Sequence, residues 1–481
     1  MEIMSEAVKV RKNSIFSFFS ISSRLIANVI LFLAMARFYG PTMFGQFVFA
    51  HSLSMIFILV ADFGIDVLFI NEVARDRKNA NTLFRQYFTM KLFFTLIALL
   101  GMNVFVFISN SDFQGRILIL VFSFYTVLTA LSNFLYSLFK GFEKLDYEMK
   151  VSIFTNSLLL IVTVILLITH SSVIFIAIAF MGSRILGLLL AVKYSYVVLP
   201  NIVYKPIFTG FRSMKNKVLI FGLHLVFNYL VFQMDTILLA FWKGDFYVGV
   251  YQAAFKLILI PLLIPEILIN VLTPTLARLN IENKQQWSSI GSVMCKLLYI
   301  IVLPISVIFF VYAEQIIKLI YSSNGYLDAI PVLRVLAITL FLRFNFEAFA
   351  LMLTTSNRQN IRMVIVIFAA LLNFLLNYFA IPKYGVYGAA VAALFTNLFI
   401  AIVYSFTTLP FFYQWFLKPK VGIVFSITII MVFLLYQIKY FTIFLMVPLI
   451  LISFILLGYF YFLNSYERKV LLPSKFRISS F

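Results

Sequence analysis

The segment ARFYGPTMFGQFVFA, residues 36–50, decides the fold because its outline returns as AFWKGDFYVGVYQAA at residues 240–254. When the two segments are aligned without a gap, Gly40 meets Gly244. Each segment lies between two long apolar runs. Glycine adopts backbone conformations that other residues avoid, so each segment predicts a helix that ends, turns and starts again.

The same alignment places Gly45 opposite Gly249 and, further along, Asp62 opposite Glu266. Coincidence between two glycine turns in an apolar sequence is the alternative, and the matched acids argue against it. Six predicted helices separate the copies, which therefore share one orientation, as in parallel repeats related by an axis along the membrane normal. Two six-helix bundles related in this way enclose a cleft, the architecture of an alternating-access transporter.

The composition is that of an integral membrane protein, since 63% of the 481 residues are hydrophobic and 12% are charged. A membrane-spanning helix needs about 20 mainly apolar residues. Spanning strands would alternate apolar and polar residues, whereas these apolar runs are continuous. We therefore predict an all-α membrane fold of about 14 transmembrane helices. They are expected at 15–37, 46–70, 86–108, 117–139, 151–169, 173–192, 218–241, 250–274, 292–312, 331–353, 362–381, 386–409, 421–437 and 443–463.

The repeat divides these helices into three predicted regions. Residues 1–200 form an amino-terminal bundle of helices 1–6, and residues 201–417 form a carboxyl-terminal bundle of helices 7–12. Residues 418–481 supply two additional helices and a tail. The first apolar run carries Arg24 and is too long for the apolar region of a signal peptide, so it is expected to remain as the first helix.

The formal net charge of +20 reflects orientation in the membrane rather than nucleic-acid binding. Most lysines and arginines fall in connectors on the side of the amino terminus, and this positive-inside bias predicts that both termini are cytoplasmic. We expect a multi-pass membrane protein that contacts anionic lipids. The cytoplasmic cations include Lys9, Arg11, Lys12, Arg75, Arg77, Lys78, Lys205, Arg212, Lys215, Lys217, Arg468 and Lys469.

Several classes of chemistry are excluded by the cysteine and histidine content, by the absence of a nucleotide-binding motif and by the short connectors. Cys295 is the single cysteine, and the three histidines have no metal-ligand spacing, so neither a disulfide nor a metal site is expected. No phosphate-binding Gly-Lys-Ser/Thr loop is present. The longest connector, 193–217, has no room for a soluble catalytic domain, so we predict a transporter without a cofactor rather than an enzyme.

Cations inside the predicted helices are candidate substrate ligands because an ionised side chain at bilayer depth costs about 2.5–3.5 kcal/mol and usually faces a cavity or a partner. Arg24 and Arg184 each lie about ten residues from the nearest helix end, and are expected to hold a phosphate or diphosphate, which suits the planar guanidinium. Lys256 is a weaker candidate because it lies near a helix end, from which a long side chain can reach the interface.

The helix at 331–353 carries two further arginines. Arg334 is expected to reach the interface in the same way as Lys256. Arg343 is four residues before Glu347, so an ion pair within the helix and a substrate role remain open alternatives.

Three acids are candidates for ion coupling or gating, namely Asp62, Asp235 and Glu266. Gly64 follows Asp62 and is expected to loosen the helix near its inner end. Glu266 lies beside Pro265, and proline bends a helix by removing a backbone donor. Bends beside buried acids fit moving parts of a gate, while static kinks tolerated by packing are the alternative.

Five segments in this order resemble the polysaccharide-export branch of the multidrug/oligosaccharidyl-lipid/polysaccharide (MOP) flippase superfamily, which includes the O-antigen flippases. The resemblance covers essentially the whole chain. Its segments are FYGPTMFGQFVFA with ADFGI at 38–65, MDTILLAFWKGDFYVGVYQAAFKL at 234–257, LTPTLARL at 272–279, AEQIIKLIYSSNGYLDAIPVLRVLA at 313–337 and IPKYGVYGAAVAAL at 381–394.

The resemblance implies a central cationic cavity and transfer of an undecaprenyl-diphosphate-linked oligosaccharide repeat unit from the cytoplasmic to the outer leaflet, for O-antigen or another surface polysaccharide. Proton or cation entry would supply the energy. Expected partners are the lipid-linked oligosaccharide and membrane lipids, with a polysaccharide polymerase and chain-length machinery as further candidates, and the protein is expected to be a monomer.

The alternatives are a multidrug or organic-cation antiporter of the same superfamily, which would favour an acidic cavity, and a membrane polysaccharide polymerase, which would need a larger outer loop.

Overall fold

The structure, a computed structural model, describes residues 2–108, 112–207, 222, 229–230, 233–322, 325–356, 358–408, 419–437 and 443–462. Its regular elements are helices throughout these residues. They form two compact units, Met1–Ala253 and Ala254–Phe481. The predicted region boundaries at residues 200 and 417 remain predictions.

The described residues of the first unit contain six complete helices, part of another helix, and the start of the helix that continues into the second unit. They are α1 (Glu2–Asp62), α2 (Ile65–Arg75), α3 (Ala80–Ile108), α4 (Phe113–Gly141), α5 (Leu145–Ile168) and α6 (Val173–Val198), followed by helical residues 233–242 and the beginning of α7 (Asp245–Glu282).

The described residues of the second unit contain the rest of α7 and six further helices, the last of which is followed by a π-helical turn, Gly458–Phe462. These helices are α8 (Lys284–Val311), α9 (Ala313–Tyr321), α10 (Ala329–Thr355), α11 (Gln359–Thr407), α12 (Pro419–Gln437) and α13 (Ile443–Leu457).

The predicted all-α membrane fold is confirmed. Ten described helices are long and apolar enough to cross a membrane. Two of the helical stretches contain two predicted spans each, because α1 passes through Gly40 and α11 passes through Gly385 with a local break at each glycine. Half of the predicted span at 218–241 lies outside the described residues.

Both turns of the sequence repeat have the backbone conformation that the glycine pattern predicts. Gly40 has a φ of 72° and Gly244 a φ of 90°, in the left-handed region that residues with a side chain rarely adopt. Pro41 follows the first glycine and begins the next helical segment, where proline fits because it needs no backbone donor. The two copies therefore start their second helices in the same way.

Side chains cap several helices where the connectors meet the apolar runs. Asp112 accepts a hydrogen bond from the backbone N–H of Gly115 at 2.8 Å and begins α4. Asn283 accepts one from Gln286 at 3.0 Å and begins α8. Such caps satisfy amide groups that have no partner within the helix.

In the first unit, α1 packs against α3, α4, α5 and α6, and α4 also packs against α2, α3 and α6. The interior is filled largely by aromatic rings. Phe69, Phe84 and Phe134 stack closely, with Phe69 and Phe134 centroids 4.9 Å apart. Tightly packed rings of this kind leave little freedom for the polar groups buried among them.

Residues 201–207 lie in an extended conformation along α3, and we call them the strap. Three α3 side chains at intervals of four residues hold its backbone. Asn81 donates to the carbonyl of Asn201 and accepts from Val203, Arg85 donates to Lys205, and Thr89 accepts from Ile207 at 2.7 Å. The start of the long connector is thus fixed to the first unit.

In the second unit, α10 packs against α8 and α11, while α12 and α13 pack against α8. A buried polar cluster links the two arms of α11 on either side of Gly385. Asn373 donates to the hydroxyl of Thr396 at 3.3 Å, and Asn377 donates to the side-chain oxygen of Asn373 at 3.1 Å. These bonds hold the two arms together within the apolar interior.

Candidate functional site

Three ionisable side chains of the first unit meet at the junction of α1, α2 and α3, and we call them the ionic trio. The Lys91 ammonium lies 2.9 Å from Oδ1 of Asp66 and 3.3 Å from Oδ1 of Asp62. The Lys91 side chain is fully buried, whereas those of Asp62 and Asp66 are 15% and 16% exposed. The trio therefore carries one more negative than positive formal charge.

The trio surrounds a break in the helix. Phe63 and Gly64 have φ values of 42° and 81°, so α1 ends at Asp62 and α2 begins at Ile65. The backbone N–H of Asp66 donates to Oδ1 of Asp62 at 3.0 Å across this break. Lys91 therefore joins the last residue of one helix to the first turn of the next.

The sequence singled out Asp62 and the loosening at Gly64, and the structure places both at this junction. Lys91 was not among the residues predicted from the sequence. It lies in the first part of an apolar run, beside basic connector residues. A signal was present, because Lys91 interrupts the apolar sequence TMKLFFTLIALL, residues 89–100, and two aspartates four residues apart precede it. Opposite charges in neighbouring apolar helices commonly pair.

Arg184 lies on α6 with its guanidinium over the ring of Tyr125, at 5.4 Å from the ring centroid. The Arg184 side chain is partly buried by the surrounding protein and partly accessible. Within the described part of the chain, no Asp or Glu is paired with it. Its Nε is buried without a hydrogen-bond partner there.

Tyrosines form the immediate surroundings of Arg184. Tyr136 and Tyr125 act on its charge electrostatically, and Tyr229 lies near Tyr125. Tyr125 is itself buried and packed against Phe122, with centroids 5.4 Å apart. This arrangement, which we call the arginine–tyrosine site, holds a positive charge in place without cancelling it, and so favours an anionic ligand.

The two repeat turns touch each other. A Cβ added at Gly45 would collide with the backbone carbonyl of Asp245, and one added at Gly249 would collide with the carbonyl of Pro41. The contact is reciprocal, because Asp245 and Gly249 are the repeat equivalents of Pro41 and Gly45. Such a contact is expected of related segments that face each other across a two-fold axis.

A side chain reinforces this contact. The buried Gln46 donates to Oδ1 of Asp112 at 3.0 Å, and the Asp245 carboxylate lies close to Gln46. Two acids, one before α4 and one at the start of α7, thus lie beside the paired turns.

The remaining predicted site residues are distributed over both units. Asp235 is buried in the first unit and accepts a hydrogen bond from the Tyr251 hydroxyl at 2.8 Å. Arg24 lies on α1, and its side chain is outside the described residues. The trio and the arginine–tyrosine site do not include Asp235.

In the second unit, Lys256 is partly buried on α7, Arg343 is 8% exposed on α10, and the side chain of Glu266 is exposed. The helix α7 continues through Pro265 without interruption. Glu347 and Arg362 both act on the Tyr404 hydroxyl electrostatically. The proposed pairing of Arg343 with Glu347 and the roles of these residues in transport stay predictions.

Two family models match the chain. The one described as polysaccharide biosynthesis protein matches residues 10–280, and the MatE model matches residues 221–379. Among curated protein sequences, no significant match was found.

Solved structures of transporters share this fold. The lipid II flippase MurJ in an inward closed conformation superposes with a TM-score of 0.74 at 17% identity, covering 92% of this chain and 97% of that one. A multidrug resistance MATE family transporter of the MOP superfamily, facing inward, gives 0.67 at 16% identity, covering 81% and 94%. A MOP superfamily transporter from Pyrococcus furiosus gives 0.55 at 16% identity, covering 84% and 96%.

Proposed function

Because this chain belongs to the polysaccharide biosynthesis protein family and shares its fold with transporters of the MOP superfamily, we propose that it translocates an undecaprenyl-diphosphate-linked oligosaccharide across a bacterial inner membrane. The unit carried is one repeat of O-antigen or another surface polysaccharide. It moves from the cytoplasmic to the outer leaflet by alternating access. The protein acts as a monomer with both termini in the cytoplasm.

The observation that carries this proposal is the charge of Arg184. A guanidinium that is enclosed by protein, partly accessible and not paired with a carboxylate among the described residues is suited to an anion. A diphosphate offers several oxygens to a planar donor that can bind two of them at once. The headgroup would enter with its diphosphate at Arg184, while the polyprenyl tail remains in lipid.

The protein lowers the barrier to translocation without making or breaking a bond. Sugar hydroxyls moved through bare hydrocarbon would lose their hydrogen bonds to water, at a cost of several kcal/mol for each group left unsatisfied. A polar interior replaces those bonds. Arg24, Lys256 and Arg343 are further candidate ligands for the headgroup.

Cation or proton entry is the proposed energy source, with Asp62, Asp235 and Glu266 as candidate sites. One elementary charge crossing 100 mV supplies about 2.3 kcal/mol. Of these three acids, Asp62 belongs to the ionic trio, where it shares the Lys91 ammonium with Asp66. Translocation that continues unchanged after the ion gradients and the membrane potential are collapsed would exclude this coupling.

The test of the main proposal is to measure repeat-unit exposure on the outer leaflet. In spheroplasts of a deletion strain, the lipid-linked oligosaccharide is probed with a membrane-impermeant glycosidase or lectin, and the gene is returned as wild type, Arg184→Ala or Arg116→Ala. Arg116 is an exposed arginine at the start of α4 and serves as the matched control. Loss of a hydrogen bond to a charged group costs about 1.5–3 kcal/mol, so Arg184→Ala should slow exposure by about tenfold or more.

Wild type and Arg116→Ala should restore exposure equally. Equal exposure in every strain, including the deletion, would refute flipping as the function. Equal rates for wild type and Arg184→Ala would instead remove only the assigned role of Arg184.

The MatE family match keeps a second candidate, an antiporter for multiple drugs or organic cations. A cationic ligand requires a negatively charged cavity, and the charge of Arg184 opposes its binding. Deletion that raises sensitivity to cationic drugs without trapping lipid-linked sugars would favour this candidate.

A further inference from the structure

We propose that Lys91 acts as a built-in cation in the ionic trio, so that the site exchanges protons and excludes sodium. The inference deepens the proposed function, on whose ion coupling it rests.

The ammonium of Lys91 occupies the position that a bound metal cation would need. It contacts one oxygen of each aspartate, at 2.9 and 3.3 Å, and it is completely buried. Each aspartate uses Oδ1 in this contact, and the two carboxylates are the partly accessible members of the trio. The site therefore already holds one cation while retaining one unbalanced negative charge.

A single proton balances that charge. In the described part of the chain, the ion pairs of Asp62 and Asp66 are both made with Lys91, and no second cation pairs with either carboxylate. An unbalanced charge inside a membrane is costly, which favours uptake of a proton whenever the site is closed off from water.

Asp66 is the carboxylate that takes the proton. Asp62 accepts the backbone N–H of Asp66 in addition to Lys91, and both bonds stabilise its charged form. In the described part of the chain, the hydrogen bond that the Asp66 carboxylate accepts comes from Lys91. A proton from water adds to Asp66, leaving a neutral trio of Asp62, Lys91 and protonated Asp66, and returns to water when the carboxylate is exposed again.

Other ionisable groups of the surrounding helices are engaged elsewhere. Arg85 of α3 donates to the strap, and His51 of α1 packs among rings, with its centroid 5.1 Å from that of Phe32. Lys140 at the end of α4 pairs with Glu148 at 3.2 Å. Glu72 and Arg75 lie further along α2, almost two turns or more beyond Asp66.

Removing the ammonium should convert the trio into a sodium site. Asp62 and Asp66 would then present two negative charges, and Thr95 lies one turn after Lys91 on the same face of α3. The Thr95 hydroxyl is buried without a hydrogen-bond partner among the described residues. Carboxylate and hydroxyl oxygens are the ligands that hard cations prefer.

The experiment measures thermal unfolding of the purified full-length protein in sodium chloride and in choline chloride at equal ionic strength. Wild type should have the same Tm in both salts. Lys91→Met should gain about 2 °C or more in sodium, because a ligand that binds only the folded state stabilises it. Lys150→Met removes an exposed lysine of α5 and should show no sodium effect.

Two further variants test the mechanism. Lys91→Arg keeps the cation and should remain insensitive to sodium, while Lys91→Met with Asp66→Asn should lose the sodium response. If Lys91→Met does not fold, Lys91→Gln replaces it in the same comparison. Sodium stabilisation of wild type equal to that of the Lys91 variants, or no sodium response in any folded variant lacking the ammonium, would overturn the proposal.

Because the readout is binding, it does not depend on the transported substrate. Failure of the flipping assay with a normal sodium response in Lys91→Met would refute the proposed function and leave the proton site intact. The opposite result would leave a flippase whose coupling lies elsewhere.

Discussion

At the scale of single residues, Arg184 illustrates how a charge is kept available inside an apolar bundle. The Tyr125 ring supports the guanidinium from one side, and ring packing fixes Tyr125 in turn. The carboxylate that would usually accompany a buried arginine would also cancel its charge. An aromatic support avoids that cancellation, which is what the binding of an anion requires.

Replacement of Tyr125 should therefore affect the headgroup rather than the fold. Tyr125→Phe retains the ring and should change transport little, whereas Tyr125→Leu removes it and should weaken headgroup binding by about 2- to 30-fold, corresponding to a cation–π contribution of about 0.5–2 kcal/mol. Binding of lipid-linked diphosphate to purified protein measures this. A loss of equal size in Tyr125→Phe would assign the effect to the hydroxyl instead of the ring.

From the sequence, a charged residue is recognised as a candidate by how deep it lies within an apolar run. Asp62 and Arg184 stood out because each lies far enough inside an apolar run for its charge to need a partner or a ligand. Lys91 escaped because it lies close to a basic connector, where lysine usually reaches water. The sequence could not show that the Glu266 side chain is exposed, because tertiary packing decides which face of a helix meets its neighbours.

At the scale of helices and connectors, the sequence repeat explains why the two glycine turns contact each other through their backbones. Gly45→Ala and Gly249→Ala should each lower stability by about 1–3 kcal/mol, because the new methyl group meets backbone atoms that cannot rotate away. Thermal unfolding checks this against Gly182→Ala. An added Cβ at Gly182 in α6 meets nothing within 4 Å.

Gly182→Ala should instead leave stability unchanged or raise it by about 0.5–1 kcal/mol, as expected for alanine in place of glycine within a helix. Similar destabilisation by all three substitutions would show that helix flexibility, rather than the contact between the turns, is what they alter.

The strap offers a second prediction at this scale. Asn81→Ala removes two hydrogen bonds to the strap, each worth about 0.5–1.5 kcal/mol, so exchange of the Val203 amide hydrogen should accelerate by about 5- to 100-fold. Amide hydrogen exchange followed by mass spectrometry measures it. Asn79→Ala is the control, since the described structure shows Asn79 bonded to Asp76 and to the backbone of Leu83 and not to the strap.

Exchange at Val203 that is identical in Asn81→Ala and wild type would mean that packing of the strap, rather than these bonds, holds it against α3. The sequence could not reveal the strap, because its bonds join backbone groups to three side chains about 120 residues away. Apolar periodicity carries no information about such pairings.

At the scale of the whole molecule, apolar run lengths predicted the membrane fold because a span must be long enough to cross hydrocarbon and must satisfy its own backbone. They also located the breaks at Gly40 and Gly385. Orientation is predicted from charge alone, and it can be tested directly because Cys295 is the single cysteine and is buried.

In a Cys295→Ala background, single cysteines at Lys78 and Lys243 should lie on opposite sides of the membrane. Intact cells treated with a membrane-impermeant maleimide should label the residue at 243 and spare the residue at 78. Permeabilised cells should label both. Labelling of residue 78 alone in intact cells would reverse the orientation and the direction of transport that follows from it.

The reciprocal contact between the repeat turns also has an evolutionary consequence. In an ancestral pair of identical half-length chains, one glycine codon would have served both contacts, since each copy would have met the carbonyl of its partner. Fusion of the halves divides that constraint between two codons, 45 and 249, each facing a different neighbour. A substitution at residue 45 is then compensated by a change at residue 245, and a substitution at residue 249 by a change at residue 41, rather than at the other glycine. Related sequences should therefore show correlated changes within each of these two pairs, which join one half of the chain to the other.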